Sequence, residues 1–117
     1  MSINMNSRAI NFTVKVGARS TLQLSIKNND GTAKSLTNDT TYSTGKWKVW
    51  KPNGTLLING TIVFTTRATG IVSYTLVAAD TVIGNAGVWE GEVEIKDTSG
   101  VISEQTQSFN FSIEESY

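Results

Sequence analysis

Glu90, Glu92 and Glu94 are where chemistry would be sought first. They alternate with Trp89, Gly91, Val93 and Ile95, and alternate residues of a strand share one face about 7 Å apart. Some glycosidase carboxylate pairs work at that separation. Nothing else in the chain supports such a pair, and a carboxylate row beside lysines reads as a solvated charge ladder. The chain has no histidine and no cysteine. The commonest general base and metal ligand is therefore missing, as are a thiol nucleophile, disulfides and Cys-based zinc sites. The serines fall in turns and on outer strand faces, with no base to activate them. Asn29, Asp30 and Asp39 could offer oxygens to calcium, but they lack D-x-D spacing. No glycine-rich phosphate loop leads into a helix. The expectation is a protein that is not an enzyme and needs no cofactor or metal.

Binding chemistry is better represented. In Gly45–Thr55 (GKWKVWKPNGT), Trp47 and Val49 alternate with Lys46, Lys48 and Trp50, which is the pattern of a half-buried strand. If Trp47 faces a core, Lys46, Lys48 and Trp50 face out. An outward tryptophan suggests a protein interface or a platform for stacking sugars. It could equally lie beneath the 32–44 loop, against Tyr42 or Leu36. The candidate interface or ligand contacts are thus Trp50, Tyr42, Lys46 and Lys48. Charge is split along the chain: residues 1–67 hold nine of the ten Lys and Arg, and residues 68–117 hold eight of the ten carboxylates. That could serve head-to-tail stacking of copies. The local reading is stronger: Lys46 and Lys48 meet Glu90, Glu92 and Glu94 on a neighbouring strand and fix its register, each pair contributing about 0.2–1 kcal/mol.

These residues need strands to hold them, and the composition supplies strands. Charged residues make up 17% of the chain, below the usual level of about 25%. Thr, Ser, Asn and Gly take their place, as suits polar outer faces and tight turns. The net charge is zero, so no basic field recruits nucleic acid. No apolar run is long enough to span a membrane, and Met1–Ser7 does not resemble a signal peptide. Absence of cysteine tilts towards assembly in a reducing cytosol. Five N-x-S/T triplets, at Asn11, Asn38, Asn53, Asn59 and Asn110, are the chance yield of a Thr- and Ser-rich chain.

Residues 1–8 are expected to be a flexible lead-in or an edge contact, and residues 9–114 a single domain. Alternation predicts strands around Ile10–Val16, Leu22–Ile26, Trp47–Trp50, Leu56–Ile58, Ile62–Phe64, Val72–Leu76, Trp89–Ile95 and up to Phe109–Ile113. The 32–44 loop is expected to be pinned by Leu36 and Tyr42. Pro52-Asn53-Gly54 fits a type II turn, with Gly54 or Asn53 at positive φ. Asn59-Gly60 is the strongest hairpin signal in the chain, and Asp97–Gly100 is a four-residue hairpin loop. Residues 78–87 lack alternation; Asp80 could cap one helical turn there. Seven or eight short strands at this spacing predict an all-β, antiparallel, two-sheet sandwich of immunoglobulin type, with a closed barrel as the alternative. Trp47, Trp89, Phe109 and Phe111 are expected in its core.

The succession FTVKVG, STLQLSIKNNDGTAKSLT, WKVWKPNGTLL, TGIVSYTL, GVWEGEVEIKDTSG, SFNFSI resembles the N-terminal domain of bacteriophage upper baseplate proteins. The likeness covers about residues 10–114. It rests on the order of Asp30-Gly31 with Leu36-Thr37, Pro52-Asn53-Gly54, Gly70 to Tyr74, Gly87 to Val93, and Phe109 to Phe111. The resemblance implies a structural module of a phage virion, in the baseplate or tail. It would be assembled in the host cytoplasm, dock onto other virion proteins and help carry receptor-binding proteins, with a homo-oligomer possible. No functional residue is carried over, because the matching motifs are turns. Chains of that family continue into further modules, whereas this sequence ends at Tyr117. A fragment, a stand-alone version or another virion protein of the same domain type are all compatible with that. The alternative function is an immunoglobulin-like module that binds carbohydrate or a cell-surface ligand through Trp50 and Tyr42.

Overall fold

Apolar residues at every second position, set between Thr, Ser and Asn, lay this chain out as strands with one greasy and one polar face. The structure, a computed structural model, describes residues 3–4, 11–106 and 108–115. Its strands are β1 (Ile3–Asn4), β2 (Asn11–Lys15), β3 (Thr21–Ser25), β4 (Thr44–Trp50), β5 (Leu56–Thr61), β6 (Val63–Thr66), β7 (Ile71–Thr75), β8 (Gly87–Lys96), β9 (Ile102–Thr106) and β10 (Phe109–Glu114). Short 3-10 turns occupy Arg67–Thr69, Ala78–Thr81 and Ile83–Asn85, and no α-helix occurs among the described residues. The larger sheet runs β5-β4-β8. Beyond β8, its far edge is shared by β9 and β10, with β1 and β2 outermost; the smaller sheet is β3-β7-β6. Neighbours are antiparallel except for β1 with β9 and β2 with β10, which are parallel. This is the expected immunoglobulin-like sandwich. Of the 1–8 lead-in, Ile3–Asn4 pairs with β9; its other residues, and the expected start of the next strand at Ile10, lie outside the described residues.

β9 and β10 both pair with β8, in registers that differ by one residue. β9 pairs with Glu94–Lys96 of β8, and β10 with Gly87–Gly91. Between the pairs Glu94↔Gln105 and Gly91↔Phe109, β8 advances three residues and its partner four. The extra residue switches which side chains face in: Glu104 and Thr106 before it, Phe109, Phe111 and Ile113 after it. The Thr106 hydroxyl accepts the Val93 N–H at 2.9 Å and so satisfies an amide at the break.

The core is built around Trp47, which is fully buried. The Phe12 and Phe109 rings lie 5.1 and 5.2 Å from it, and Tyr74 stacks on it at 6.3 Å. Trp89 is half-buried, packing against the core rather than within it. Its ring folds over Gly87, and its indole N–H donates to the Asn85 carbonyl at 2.8 Å. Leu36 is buried and Tyr42 packs on the core, so both pin the 32–44 loop as expected. Arg67 completes the attachment by donating to the Leu36 and Tyr42 carbonyls at 2.9 and 2.8 Å.

Two turn expectations are corrected. Asn59-Gly60 is not a hairpin but the interior of β5, opposite Lys48 and Trp47. Glycine is there because the Tyr74 ring occupies the space where a Cβ would stand. The Lys51–Gly54 turn closes with the Gly54 N–H on the Lys51 carbonyl at 2.9 Å. Gly54 takes the positive φ, at 87°, and no residue other than glycine does so among the described residues. Asn53 therefore cannot sit at the third position of a type II turn; this is a type I turn followed by a left-handed glycine. Asp97–Gly100 repeats the device, with Gly100 N–H on the Asp97 carbonyl. Asp80 does not cap from the front of its turn. Its carboxylate reaches back to the Val77 N–H at 2.9 Å and accepts the Tyr74 hydroxyl at 2.6 Å. Burial, then that bond to a carboxylate, pushes the Tyr74 phenol well above its ordinary value.

Candidate functional site

The outer face of the larger sheet carries the candidate residues. β4 and β8 pair with Lys46 opposite Glu94, Lys48 opposite Glu92 and Trp50 opposite Glu90. The expected neighbours are thus adjacent, but the ion pairs run diagonally. Lys48 Nζ lies 3.1 Å from Glu94, and Lys96 Nζ lies 3.9 Å from the same oxygen. Lys46 turns the other way and donates to the Thr61 hydroxyl on β5 at 2.9 Å. Glu92 instead accepts the Gln105 amide at 2.6 Å. Lysine stems lie over this face, and Glu94 is buried although it points outwards.

Glu92 is held above the ordinary carboxylate range. Desolvation is the main cause and Glu94 adds to it, while Gln105 and Lys48 pull the other way. A carboxyl raised on folding stabilises the fold while protonated and costs stability as pH rises through its folded value. Glu92→Gln keeps an acceptor for Gln105 and removes the charge. It is expected to raise Tm at pH 7 by about 2 °C, a small effect because solvent screens the site. The gain should vanish at pH 3; thermal melts that show it unchanged there would refute this account.

The four sequence candidates do not form one site. Tyr42 precedes β4 and Trp50 ends it, so the two stand about 20 Å or more apart at 3.3 Å per residue. Tyr42 lies with Lys34, whose Nζ is 5.9 Å from its ring centre, and not with Trp50. Between them, Lys48 is engaged in the charge ladder with Glu94 and Lys46 is held by Thr61. Trp50 is not covered by the 32–44 loop. It is partly exposed beside a groove of about 420 Å³ lined by Trp50, Pro52, Val88, Trp89, Glu90 and Asn110. Asn110 enters because β10 pairs with β8 at Asn110↔Glu90, which makes a cross-strand row Trp50–Glu90–Asn110.

Two features escaped the sequence reading. Val77, Val82, Ile83 and Val88 are all exposed, the last two at 67%, which gathers apolar surface in and beside the 78–87 segment. The available signal was Val82-Ile83, an apolar pair in a stretch with no strand alternation to bury it. The second is Glu104, buried within the sandwich at 1% exposure. No cluster of His, Cys, Asp or Glu able to hold a metal occurs among the described residues, and no helix among them is long and apolar enough to cross a membrane.

No protein-family model and no curated protein sequence matches this chain. Solved structures do. CopC from Methylosinus trichosporium OB3b is 9% identical, over 91% of this chain and 87% of that one, with a TM-score of 0.51. The N-terminal domain of phage TP901-1 ORF48 superposes with a TM-score of 0.68 at 13% identity, over 90% of this chain and 85% of that one. At such identities the likeness is one of fold: this chain is an immunoglobulin-like β-sandwich of the architecture found in that phage domain.

Proposed function

We propose that this chain is a non-enzymatic structural module of a phage virion, in the baseplate or tail. It docks onto neighbouring virion proteins and supports receptor-binding components. The observation that carries the reading is the nine-tenths coverage of this chain by the fold of a phage domain. The exposed apolar side chains Val77, Val82 and Ile83 give such a module a docking end, since clustered surface apolar area marks interaction sites.

Solution mass measured by light scattering, alone and with each purified tail protein encoded beside this gene, tests the proposal. A defined complex that is lost on Ile83→Asp, without change in Tm, is the expected result. A chain that stays monomeric with every such protein, or a gene with no virion genes around it, overturns the reading.

A further inference from the structure

We propose that the groove at the end of β4 is a binding site for a neutral saccharide, independent of docking through the Ile83 end. Trp50 offers a partly exposed indole face on a polar sheet surface, at the wall of the groove. Glu90 stands directly opposite it. Along its row, Glu92 is occupied by Gln105 and Glu94 by Lys48 and Lys96, whereas exposed Glu90 has no partner among the described residues. Asn110 follows on β10. Its amide nitrogen donates to the Asn11 oxygen at 3.0 Å, which fixes the side chain and leaves the Asn110 carbonyl oxygen free to accept. The row therefore presents an aromatic face, a free carboxylate and a free amide oxygen, across two strand spacings or about 10 Å.

That combination suits a sugar ring. Its C–H face stacks on an indole, and its hydroxyls donate to a carboxylate and an amide. The groove's volume lies in the usual range for small-ligand sites, about 300–1,000 Å³. Its walls are paired strands and the Lys51–Gly54 turn, closed at both ends by backbone hydrogen bonds of 2.9 Å, so little ordering is needed on binding. The surrounding charge disfavours other classes. Glu90, exposed and without an ion-pair partner among the described residues, works against phosphate and carboxylate ligands. Lys51, between Trp50 and Pro52, holds its ammonium 5.3 Å from the Trp89 ring centre, and so already supplies the cation that this aromatic wall would attract. The second cavity on this face, at Lys46, Thr61, Glu94 and Lys96, lacks both an aromatic face and a free carboxylate.

The test follows the indole N–H resonances of the intact chain by NMR while glucose, galactose, rhamnose, N-acetylglucosamine and their short oligomers are added. The chain has three tryptophans, and Trp50→Phe assigns the one that matters. A saturable shift of the Trp50 signal, with Kd of about 1 mM or tighter, is expected. Trp50→Ala and Glu90→Gln should weaken it at least about tenfold, and Val63→Ser, on the other sheet, should not. Glu90→Gln keeps side-chain volume, so it remains informative if Trp50→Ala fails to fold. No shift with any of these sugars, or a shift that follows protein concentration instead, overturns the proposal; the latter would mark a contact between copies. Ile83→Asp leaves the saccharide response intact, so the site and the virion reading fail separately.

Discussion

Lys34→Ala is expected to cost about 3–5 kcal/mol, the range for breaking a buried ion pair by removing one partner. Lys34 reaches in from the 32–44 loop, its backbone N–H held on the Ile26 carbonyl at 3.1 Å. Its Nζ lies 3.0 Å from Glu104 Oε2, with the two side chains 16% and 1% exposed. Neither Glu104 oxygen has a hydrogen-bond partner, and among the described residues Lys34 is the one charge that this carboxylate meets. Burial opposes the charge on Lys34, but Glu104 more than offsets it, and the lysine is held above its ordinary value. Without the ammonium, a carboxylate is left in the sandwich with nothing to balance it. Urea unfolding should show a lower midpoint at unchanged slope. Against a total stability of about 5–15 kcal/mol, much of the margin disappears. The double variant Lys34→Met/Glu104→Leu should recover most of the loss, since a buried pair replaced by apolar groups is often neutral or stabilising. A loss under about 1 kcal/mol for Lys34→Ala would mean that water reaches Glu104.

Gly60→Ala should cost about 3 kcal/mol, the upper end for an overpacked core, although alanine ordinarily suits a strand better than glycine. The added methyl would overlap the Tyr74 ring. That ring has nowhere to go: it stacks on Trp47 on one side, and its hydroxyl is held by the buried Asp80. The clash therefore falls on backbone, parting β5 from β7. Tyr74→Leu removes the obstacle, and in that background Gly60→Ala should cost less than about 0.5 kcal/mol. Two additive losses in the double-variant cycle would show that the ring yields freely.

Much of this was legible in the chain, and what was not has identifiable causes. Trp47, Val49, Val93, Phe109 and Phe111 declare themselves by alternation, because a strand repeats every two residues whatever it packs against. The outward aim of Trp50 follows from the same rule. Gly60 was misread because its reason lies fourteen residues away, in a tyrosine ring, and local turn chemistry cannot register that. Glu104 was missed because β9 and β10 pair with β8 in registers one residue apart, so counting back from Phe109 and Phe111 gives the wrong face. The choice of Lys48 over Lys46 as partner of Glu94 depends on the diagonal reach of flexible stems. Placing Trp50 on the outer face required only periodicity; gathering Glu90, Asn110 and Val88 around it required register.

The parallel pairing of β2 with β10 bears on force. Asn11 lies beside Asn110 and Lys15 beside Glu114, so tension applied through the two chain ends pulls these strands past each other lengthwise. Rupture would then have to break their ladder bonds together, where a hairpin pulled from its open end loses them one at a time. A hydrogen bond between Asn110 and Asn11 and an ion pair between Lys15 and Glu114, at 3.0 and 3.2 Å, brace that seam at both ends.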